Sequence, residues 1–241
     1  MKIGIIGYGT MGKAIEKIAK QRNHEVVSII DIGDNNFNKE VECYIDFSTA
    51  AALSGNVKQV CALQIPVVIG TTGWYDDFEK YQDLFVKSNN KGIWGSNFSL
   101  GVNIFMSIVE DASKKFSQFS DTYDVFLHEF HHKNKMDSPS GTALKIAALV
   151  KDNFKAKNTI QTEKLDRKIN TEELHVTSTR GGYIPGTHQV IFDSASDSIE
   201  LTDRARNREG FALGSVIAAE NIAQAPEGLS DFYDIFKAVY K

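Results

Sequence analysis

Apolar runs without strict alternation recur along the first hundred residues of the chain, and segments with helical spacing separate most of them. These runs are residues 2–6 (KIGII), 25–31 (EVVSIID), 41–48 (VECYIDFS), 65–73 (IPVVIGTTG) and 91–94 (KGIW). Strands buried on both faces of a parallel sheet have this pattern, because helices cover both faces. We therefore predict an α/β fold in which residues 1–98 form a doubly wound parallel sheet of Rossmann type.

The pattern changes after residue 98. Residues 121–132 (DTYDVFLHEFHH) alternate like a half-exposed strand, with Val125, Leu127, Glu129 and His131 on one side. A helical segment at 142–154 and several short strand-like pieces follow. This change predicts a second, α+β domain with an antiparallel or mixed sheet over residues 99–208.

The last two segments, 209–228 and 229–241, have helical apolar spacing. We expect both to be helical and to pack back onto the first domain. The dinucleotide-binding domain would then consist of residues 1–98 completed by residues 209–241.

Composition narrows the function classes. The chain has 241 residues, with 27 basic and 31 acidic side chains and a net charge of −4. General nucleic-acid binders are usually basic, so we expect no nucleic-acid partner. No apolar run approaches the length of a membrane span and no signal-peptide pattern opens the chain, so we expect a cytoplasmic protein without a membrane partner.

A glycine-rich turn follows the first predicted strand and opens a helix. Its residues are Gly7, Tyr8, Gly9, Thr10, Met11 and Gly12, and Asp31 stands at the end of the next strand. A GxGxxG turn in this context is typical of dinucleotide binding: the first glycine permits the turn, the second lets backbone approach a pyrophosphate and the third allows close packing. The sequence therefore predicts a nicotinamide dinucleotide site.

Asp31 bears on the choice of cofactor. A carboxylate at this position accepts hydrogen bonds from the adenosine ribose and repels a ribose phosphate, and residues 32–36 (IGDNN) contain no arginine. We predict a preference for NADH, with NADPH possible. Small residues at 70–73 (GTTG), at the end of a later predicted strand, would let the ring of a ligand lie against backbone.

The stretch from His128 to Ala143 (HEFHHKNKMDSPSGTA) is the densest candidate site. An imidazole donates or accepts a proton near neutral pH, and Lys135 would stay protonated beside a substrate carboxylate. Ser140, Gly141 and Thr142 would place N–H groups at a helix start, which suits a second carboxylate. The pattern indicates an active site for a dicarboxylate, with hydride from the cofactor and a proton from this stretch.

Two other interpretations of this stretch stay open on the residues alone. A metal site is disfavoured because the neighbouring lysines repel a cation, so we predict no metal. A charged surface loop without function is the other alternative. His128 should lie outside the chemistry, because it is on the opposite strand face from His131.

The stretch resembles the signature of the dihydrodipicolinate reductase family, also called 4-hydroxy-tetrahydrodipicolinate reductases, of diaminopimelate and lysine biosynthesis. The match is E-x-H-H-x-x-K-x-D-x-P-S-G-T-A at residues 129–143, supported by DFS at 46–48, IGTTG at 69–73, SNFSLGVN at 96–103 and RGG…PGTH at 180–188. The resemblance implies reduction of a cyclic dicarboxylate by NAD(P)H. It also implies a homotetramer joined through the sheet of the second domain.

The resemblance also implies residue roles. His131 is the expected proton donor and acceptor, and Lys135 an expected proton donor. The substrate carboxylates would be held by His132, Lys135, Ser140, Gly141 and Thr142. The cofactor would be held by residues 7–12 and Asp31, with its nicotinamide side lined by Gly70, Thr71, Thr72, Gly95, Ser96, Asn97 and Phe98.

Two rival functions and one unassigned cluster remain. An aspartate or diaminopimelate dehydrogenase would share the architecture, and an NADH-sensing protein would bind cofactor without turnover. Arg204, Arg206 and Arg208 either form a solvated charged face or reach toward cofactor phosphates.

Overall fold

The computed structural model describes residues 1–240 and divides the chain into two compact units. One unit consists of Met1–Leu100 with Arg208–Lys241, and the other of Gly101–Asn207. No helix among residues 1–240 is long and apolar enough to span a bilayer.

The first unit is built on a six-stranded parallel sheet, as the apolar runs predict. Its strands are β1 (Lys2–Ile6), β2 (Glu25–Ile30), β3 (Cys43–Asp46), β4 (Val67–Ile69), β5 (Lys91–Trp94) and β11 (Gly228–Asp231), in the order β11-β5-β4-β3-β1-β2. Each pair is parallel. The carboxyl ends of the strands therefore meet at one edge, which is where ligands bind in such sheets.

Helices complete this unit. They are α1 (Thr10–Gln21), α2 (Ala50–Leu63), α3 (Phe78–Lys87), α6 (Glu209–Glu220) and α7 (Phe232–Val239). One apolar cluster joins Ile3, Ile5 and Ile45 of the central strands to Val216 of α6 and Phe232 of α7. Burying such side chains contributes about 1.5–3 kcal/mol each, which is why the carboxyl-terminal helices belong to this unit.

The helical prediction for residues 229–241 is wrong in its first part. Gly228–Asp231 is a strand that pairs in parallel with β5, so Leu229 lies opposite Gly92. The segment GLSD carries no periodic apolar signal, and it becomes a strand because the edge of β5 supplies hydrogen-bonding partners. Asp231 then caps α7 by accepting from the Tyr233 N–H at 2.8 Å.

The second unit is built on a five-stranded mixed sheet, again as predicted in kind. Its strands are β6 (Asp124–His131), β7 (Thr159–Gln161), β8 (Glu173–Arg180), β9 (Thr187–Asp193) and β10 (Ser198–Arg204), in the order β10-β9-β6-β8-β7. Helices α4 (Leu100–Phe116) and α5 (Gly141–Asn153) accompany it. The short strand β7 is absent from the sequence-based prediction, since three residues give no readable period.

Strand β6 alternates as the sequence predicts. Val125, Leu127, Glu129 and His131 are buried, whereas Phe126, His128 and Phe130 are exposed or half-buried. The buried face of this strand therefore carries a carboxylate and an imidazole among apolar residues. His128 lies on the other face, where its ring nitrogens contact the hydroxyls of Thr177 at 2.5 Å and Thr179 at 3.1 Å.

Candidate active site

The three glycines of the turn after β1 meet three different surroundings. Gly7 has φ +86°, and a Cβ there would lie 2.5 Å from the carbonyl oxygen of Phe47. A Cβ on Gly12 would lie 2.3 Å from the carbonyl oxygen of Gly7, whereas a Cβ on Gly9 would meet nothing within 4 Å. Gly7 and Gly12 are therefore required by the turn and its packing, and Gly9 faces open space that a ligand's phosphates would fill.

A cavity of about 450 Å³ adjoins this turn at the carboxyl edge of the sheet. Asp31 is exposed at its rim, just beyond the end of β2. The lining includes Gly7, Gly9, Asp31, Ile32, Gly33, Asp34, Ser48 and Thr49. The structure thus places the predicted ribose-reading carboxylate beside the glycine turn, and no arginine is among the lining residues.

A second pocket, of about 230 Å³, brings together most of the residues predicted to line the nicotinamide side. Its walls include Met11, Gly70, Thr72, Gly95, Ser96, Asn97 and Phe98. Arg208 and Phe211 also line it. Arg204 at the end of β10 and Arg206 just after it are exposed, and neither is among the residues that line this pocket.

Thr71 and Tyr8 differ from their neighbours because other groups of the chain engage their side chains. The Thr71 hydroxyl is buried and donates to Asp46 at 2.9 Å. Asp46 also accepts from the Ser48 N–H at 2.8 Å and from the Asn56 amide at 2.9 Å. Burial raises the pKa of Asp46, and these hydrogen bonds lower it.

In the glycine turn, the Tyr8 hydroxyl donates to Glu16, and Thr10 is the exposed first residue of α1.

In the second unit, Glu129 is the hub of a buried hydrogen-bonding network. Its side chain is 1% exposed. It accepts from the Ser140 N–H at 2.9 Å, the Ser140 hydroxyl at 2.5 Å, the Ser178 hydroxyl at 2.8 Å and the Arg180 guanidinium at 2.8 Å. Burial alone would raise the pKa of Glu129, but the neighbouring His131 and His188 rings and the hydrogen bonds from Ser140 and Arg180 lower it well below the usual range. Glu129 is therefore a charged acceptor.

Ser140 has less to offer a substrate than the sequence suggests. It is the N-cap of α5, 2% exposed, and its hydroxyl accepts from the Ala143 N–H at 3.1 Å. Its own N–H and hydroxyl proton both go to Glu129. At the start of the helix, Gly141 is exposed and Thr142 is half-buried. The predicted binding site for a substrate carboxylate therefore depends on these two residues, and Ser140 attaches the helix start to Glu129 of β6.

Lys135 lies in the loop after β6 and already holds a carboxylate. Its Nζ lies 2.7 and 3.0 Å from the two oxygens of Asp137. Burial alone would raise the pKa of Asp137, but Lys135 and the backbone N–H groups of Asp137 and Gly141 lower it. The carboxylate of Asp137 therefore binds both the Lys135 ammonium and the N–H of Gly141 at the start of α5. These are the two features predicted to bind the substrate. His132 follows the end of β6 and is half-buried.

Glu129, His131 and His188 have the spacing of a metal site, since their ligand atoms lie within 4.8 Å of one another. Arg180 donates to the same carboxylate and carries a positive charge. A cation bound there would face this guanidinium in a buried setting, where charge repulsion is strong. The donor set of the cluster thus disfavours a metal.

Family models match both parts of the chain. The model described as "Dihydrodipicolinate reductase, N-terminus" matches residues 1–98, and that described as "Dihydrodipicolinate reductase, C-terminus" matches residues 101–236. The chain belongs to the dihydrodipicolinate reductase family. The resemblance read from residues 129–143 is therefore confirmed.

Individual relatives agree with this family. The chain is 38% identical over 245 residues to the 4-hydroxy-tetrahydrodipicolinate reductase of Christiangramia forsetii, with all of both chains covered. It is 35% identical to that of Archaeoglobus fulgidus, covering 93% of this chain and 95% of the other. A dipicolinate-bound dihydrodipicolinate reductase from Paenisporosarcina sp. TG-14 has the same fold, with TM-score 0.74, 23% identity and coverage of 96% and 97%.

The sequence alone assigns no role to Arg180, Ser178 and His188, which complete the surroundings of Glu129. These residues come from β8 and β9, which flank β6 in the sheet. The RGG…PGTH segment contains Arg180 and His188, so the resemblance marks the region. Their convergence on Glu129 depends on strand order, which the sequence does not state.

Proposed function

We propose that the chain reduces 4-hydroxy-tetrahydrodipicolinate to tetrahydrodipicolinate with NAD(P)H, with loss of water. The observation that carries this proposal is the buried His131 at the end of β6, in the sequence signature that also contains Lys135 and the start of α5. Membership of the family and the cavities beside the glycine turn support it. Diaminopimelate and lysine biosynthesis would use the product.

A coupled assay tests this function. Substrate is generated in place by the synthase that condenses pyruvate with aspartate semialdehyde, and NADH oxidation is followed by absorbance. We expect NADH oxidation that depends on both the synthase and this chain, and no reduction of NAD⁺ with aspartate or diaminopimelate. Turnover of an amino acid instead would favour the dehydrogenase alternative, and cofactor binding without turnover would favour a sensor.

The residues divide the work as follows. Residues 7–12 and Asp31 would hold the dinucleotide, with its nicotinamide beside Gly70, Thr72 and residues 95–98, and the bound cofactor supplies hydride. Gly141 and Thr142, with Lys135 and His132, bind the two substrate carboxylates. His131, assisted by Lys135, delivers the proton to the carbon next to the one that receives hydride.

Asp31 should set the cofactor preference. We expect a higher kcat/KM with NADH than with NADPH, because the exposed carboxylate would repel a ribose phosphate and no arginine lines its cavity. Asp31→Ala should raise KM for NADH and lower the ratio of kcat/KM for NADH to kcat/KM for NADPH by about tenfold, the effect of losing one hydrogen bond to a charged group. Asp76→Ala, an exposed aspartate outside the cavity, is the control. A wild-type preference for NADPH would contradict the assignment.

Asp137 should compete with the substrate for its binding groups. Asp137→Asn keeps the shape of the side chain but removes the charge that pairs with Lys135. We expect the dissociation constant of the planar dicarboxylate dipicolinate to fall by up to about fivefold, since an ion pair of this exposure is worth about 0.2–1 kcal/mol. Calorimetric titration measures it, with Asp166→Asn, in the exposed Lys164–Asp166 pair, as control. Weaker dipicolinate binding by Asp137→Asn would contradict this competition and would show that Asp137 helps to form the carboxylate-binding site.

We also propose that the chain assembles as a homotetramer through the mixed sheet and works in the cytoplasm. Phe126 is 39% exposed on β6, and Phe130 is half-buried on the same face. Apolar side chains on an open sheet face favour an interface. Light scattering coupled to size exclusion should give a mass about four times the 26.8 kDa of one chain. A monomer mass at micromolar concentration would contradict the assembly.

A further inference from the structure

The two ring nitrogens of His131 have different surroundings. Nδ1 lies 3.3 Å from Oε2 of Glu129, and the side chain is 8% exposed. Nε2 faces Gly186 in the loop before β9, where a Cβ would lie 3.0 Å from Nε2. A glycine at this position therefore leaves the space beside Nε2 free of a side chain.

The charge state of Glu129 determines which nitrogen should carry a proton. Its carboxylate is ionised and can only accept hydrogen bonds. A neutral His131 ring is attracted to the Glu129 carboxylate only when its proton is on Nδ1. In that form Nε2 carries a lone pair. Nδ1 lies 3.3 Å from Oε2 but makes no hydrogen bond in this structure. Hydrogen bonds at catalytic groups often form fully only when the substrate is bound.

His188 approaches the same oxygen from β9. Its side chain is 7% exposed, and its Nε2 lies 3.6 Å from Oε2 of Glu129 and 3.4 Å from the Ser140 hydroxyl. The rings of His188 and His131 pack edge to face at 5.4 Å and 70°. His188 therefore fills the volume into which the ring of His131 would otherwise turn.

We propose that Glu129 and His188 are positioning residues that hold His131 in the Nδ1–H form, so that the proton exchanged with substrate travels on Nε2 through the gap left by Gly186. The proposal rests on the proposed function, because it deepens the role of His131 in it. A carboxylate that orients a histidine and stabilises its protonated form is a general way to prepare an imidazole for proton transfer. Here the Glu129 carboxylate also accepts hydrogen bonds from Ser140, so it links the His131 imidazole to the start of α5.

Nuclear magnetic resonance on the intact wild-type chain tests the proposal without measuring turnover. The six histidines are labelled with ¹⁵N, and His131 is assigned by comparison with His131→Gln. When the ring of His131 is neutral, we expect its proton on Nδ1. A predominant Nε2–H form would overturn the proposal even if the enzyme is active, so the result is separate from that of the coupled assay.

Matched substitutions supply a second readout. Glu129→Gln should lower kcat about 100-fold and leave KM for NADH within about threefold, because the predicted cofactor residues all lie in the other unit. Glu200→Gln, on the exposed face of β10, should change neither. A folded Glu129→Gln enzyme with wild-type kcat would overturn the proposal.

If the Glu129→Gln variant does not fold, Gly186→Ala tests proton transfer through Nε2 of His131. The added methyl group should lower kcat at least about tenfold by crowding Nε2, again with little change in KM for NADH. Gly181→Ala is the control, because a Cβ there meets nothing within 4 Å. Equal kcat for the two alanine variants would contradict access through Nε2.

Discussion

His131→Ala and Lys135→Ala should each lower kcat by about 100-fold or more. A positioned general acid or base contributes about 10²–10⁴-fold to a rate, and these two side chains are the proton carriers assigned at the end of β6 and in the following loop. Lys135→Ala should also raise KM for the dicarboxylate, because Nζ already binds carboxylate oxygens at 2.7 and 3.0 Å in Asp137. Stopped-flow or steady-state NADH oxidation in the coupled assay measures both effects.

The neighbouring residues provide controls of the same type. His128→Ala removes a histidine from the opposite face of β6, and Lys133→Ala removes a lysine two residues from Lys135. Both variants should keep kcat within a few-fold of the wild type. If neither His131→Ala nor Lys135→Ala lowers kcat by more than about tenfold, the assignment of proton transfer to this pair is wrong.

Gly214→Ala should lower the free energy of unfolding by about 3 kcal/mol, at the upper end for overpacking. A Cβ at Gly214 would lie 1.6 Å from the carbonyl oxygen of Phe98. Helix α6 would have to move away from the 95–98 loop, so KM for NADH should rise as well. Urea denaturation measures the stability, and cofactor titration measures the second effect.

Gly55→Ala is a control with the opposite expected sign. Gly55 also lies inside a helix, α2, but a Cβ there meets nothing within 4 Å. Alanine is a better helix former than glycine by about 0.5–1 kcal/mol, so this variant should be slightly stabilised. Equal stability of the two variants would show that α6 packs less tightly on residues 95–98 than the structure indicates.

The sequence predicts most of the fold because its signals are local. The apolar runs identify five of the six parallel strands, and the alternation in β6 places Glu129 and His131 on the buried face. The strand Gly228–Asp231 could not be predicted in this way, since its pairing with β5 joins segments far apart in the chain. An edge strand without an apolar pattern is defined by its partner alone.

The candidate site divides along the same line. His131, Lys135 and the start of α5 fall within sixteen consecutive residues and can be read from the signature. The roles of Arg180 and His188 depend on β8 and β9 flanking β6. The hydrogen bonds from Ser140 to Glu129 depend on the burial of both side chains. Spacing along the chain does not carry that information. The sequence therefore predicts Ser140 as a substrate ligand, whereas in the structure its N–H and hydroxyl donate to Glu129.

Isotope transfer tests the central claim most directly. The coupled reaction is run in ordinary water with NADH that carries deuterium at both C4 positions, and the product is examined by mass spectrometry. We expect one deuterium in each tetrahydrodipicolinate, because hydride comes from the cofactor and the second hydrogen is a proton exchanged with solvent through His131 and Lys135. A product without deuterium would contradict hydride transfer to this substrate, and with it the proposed function.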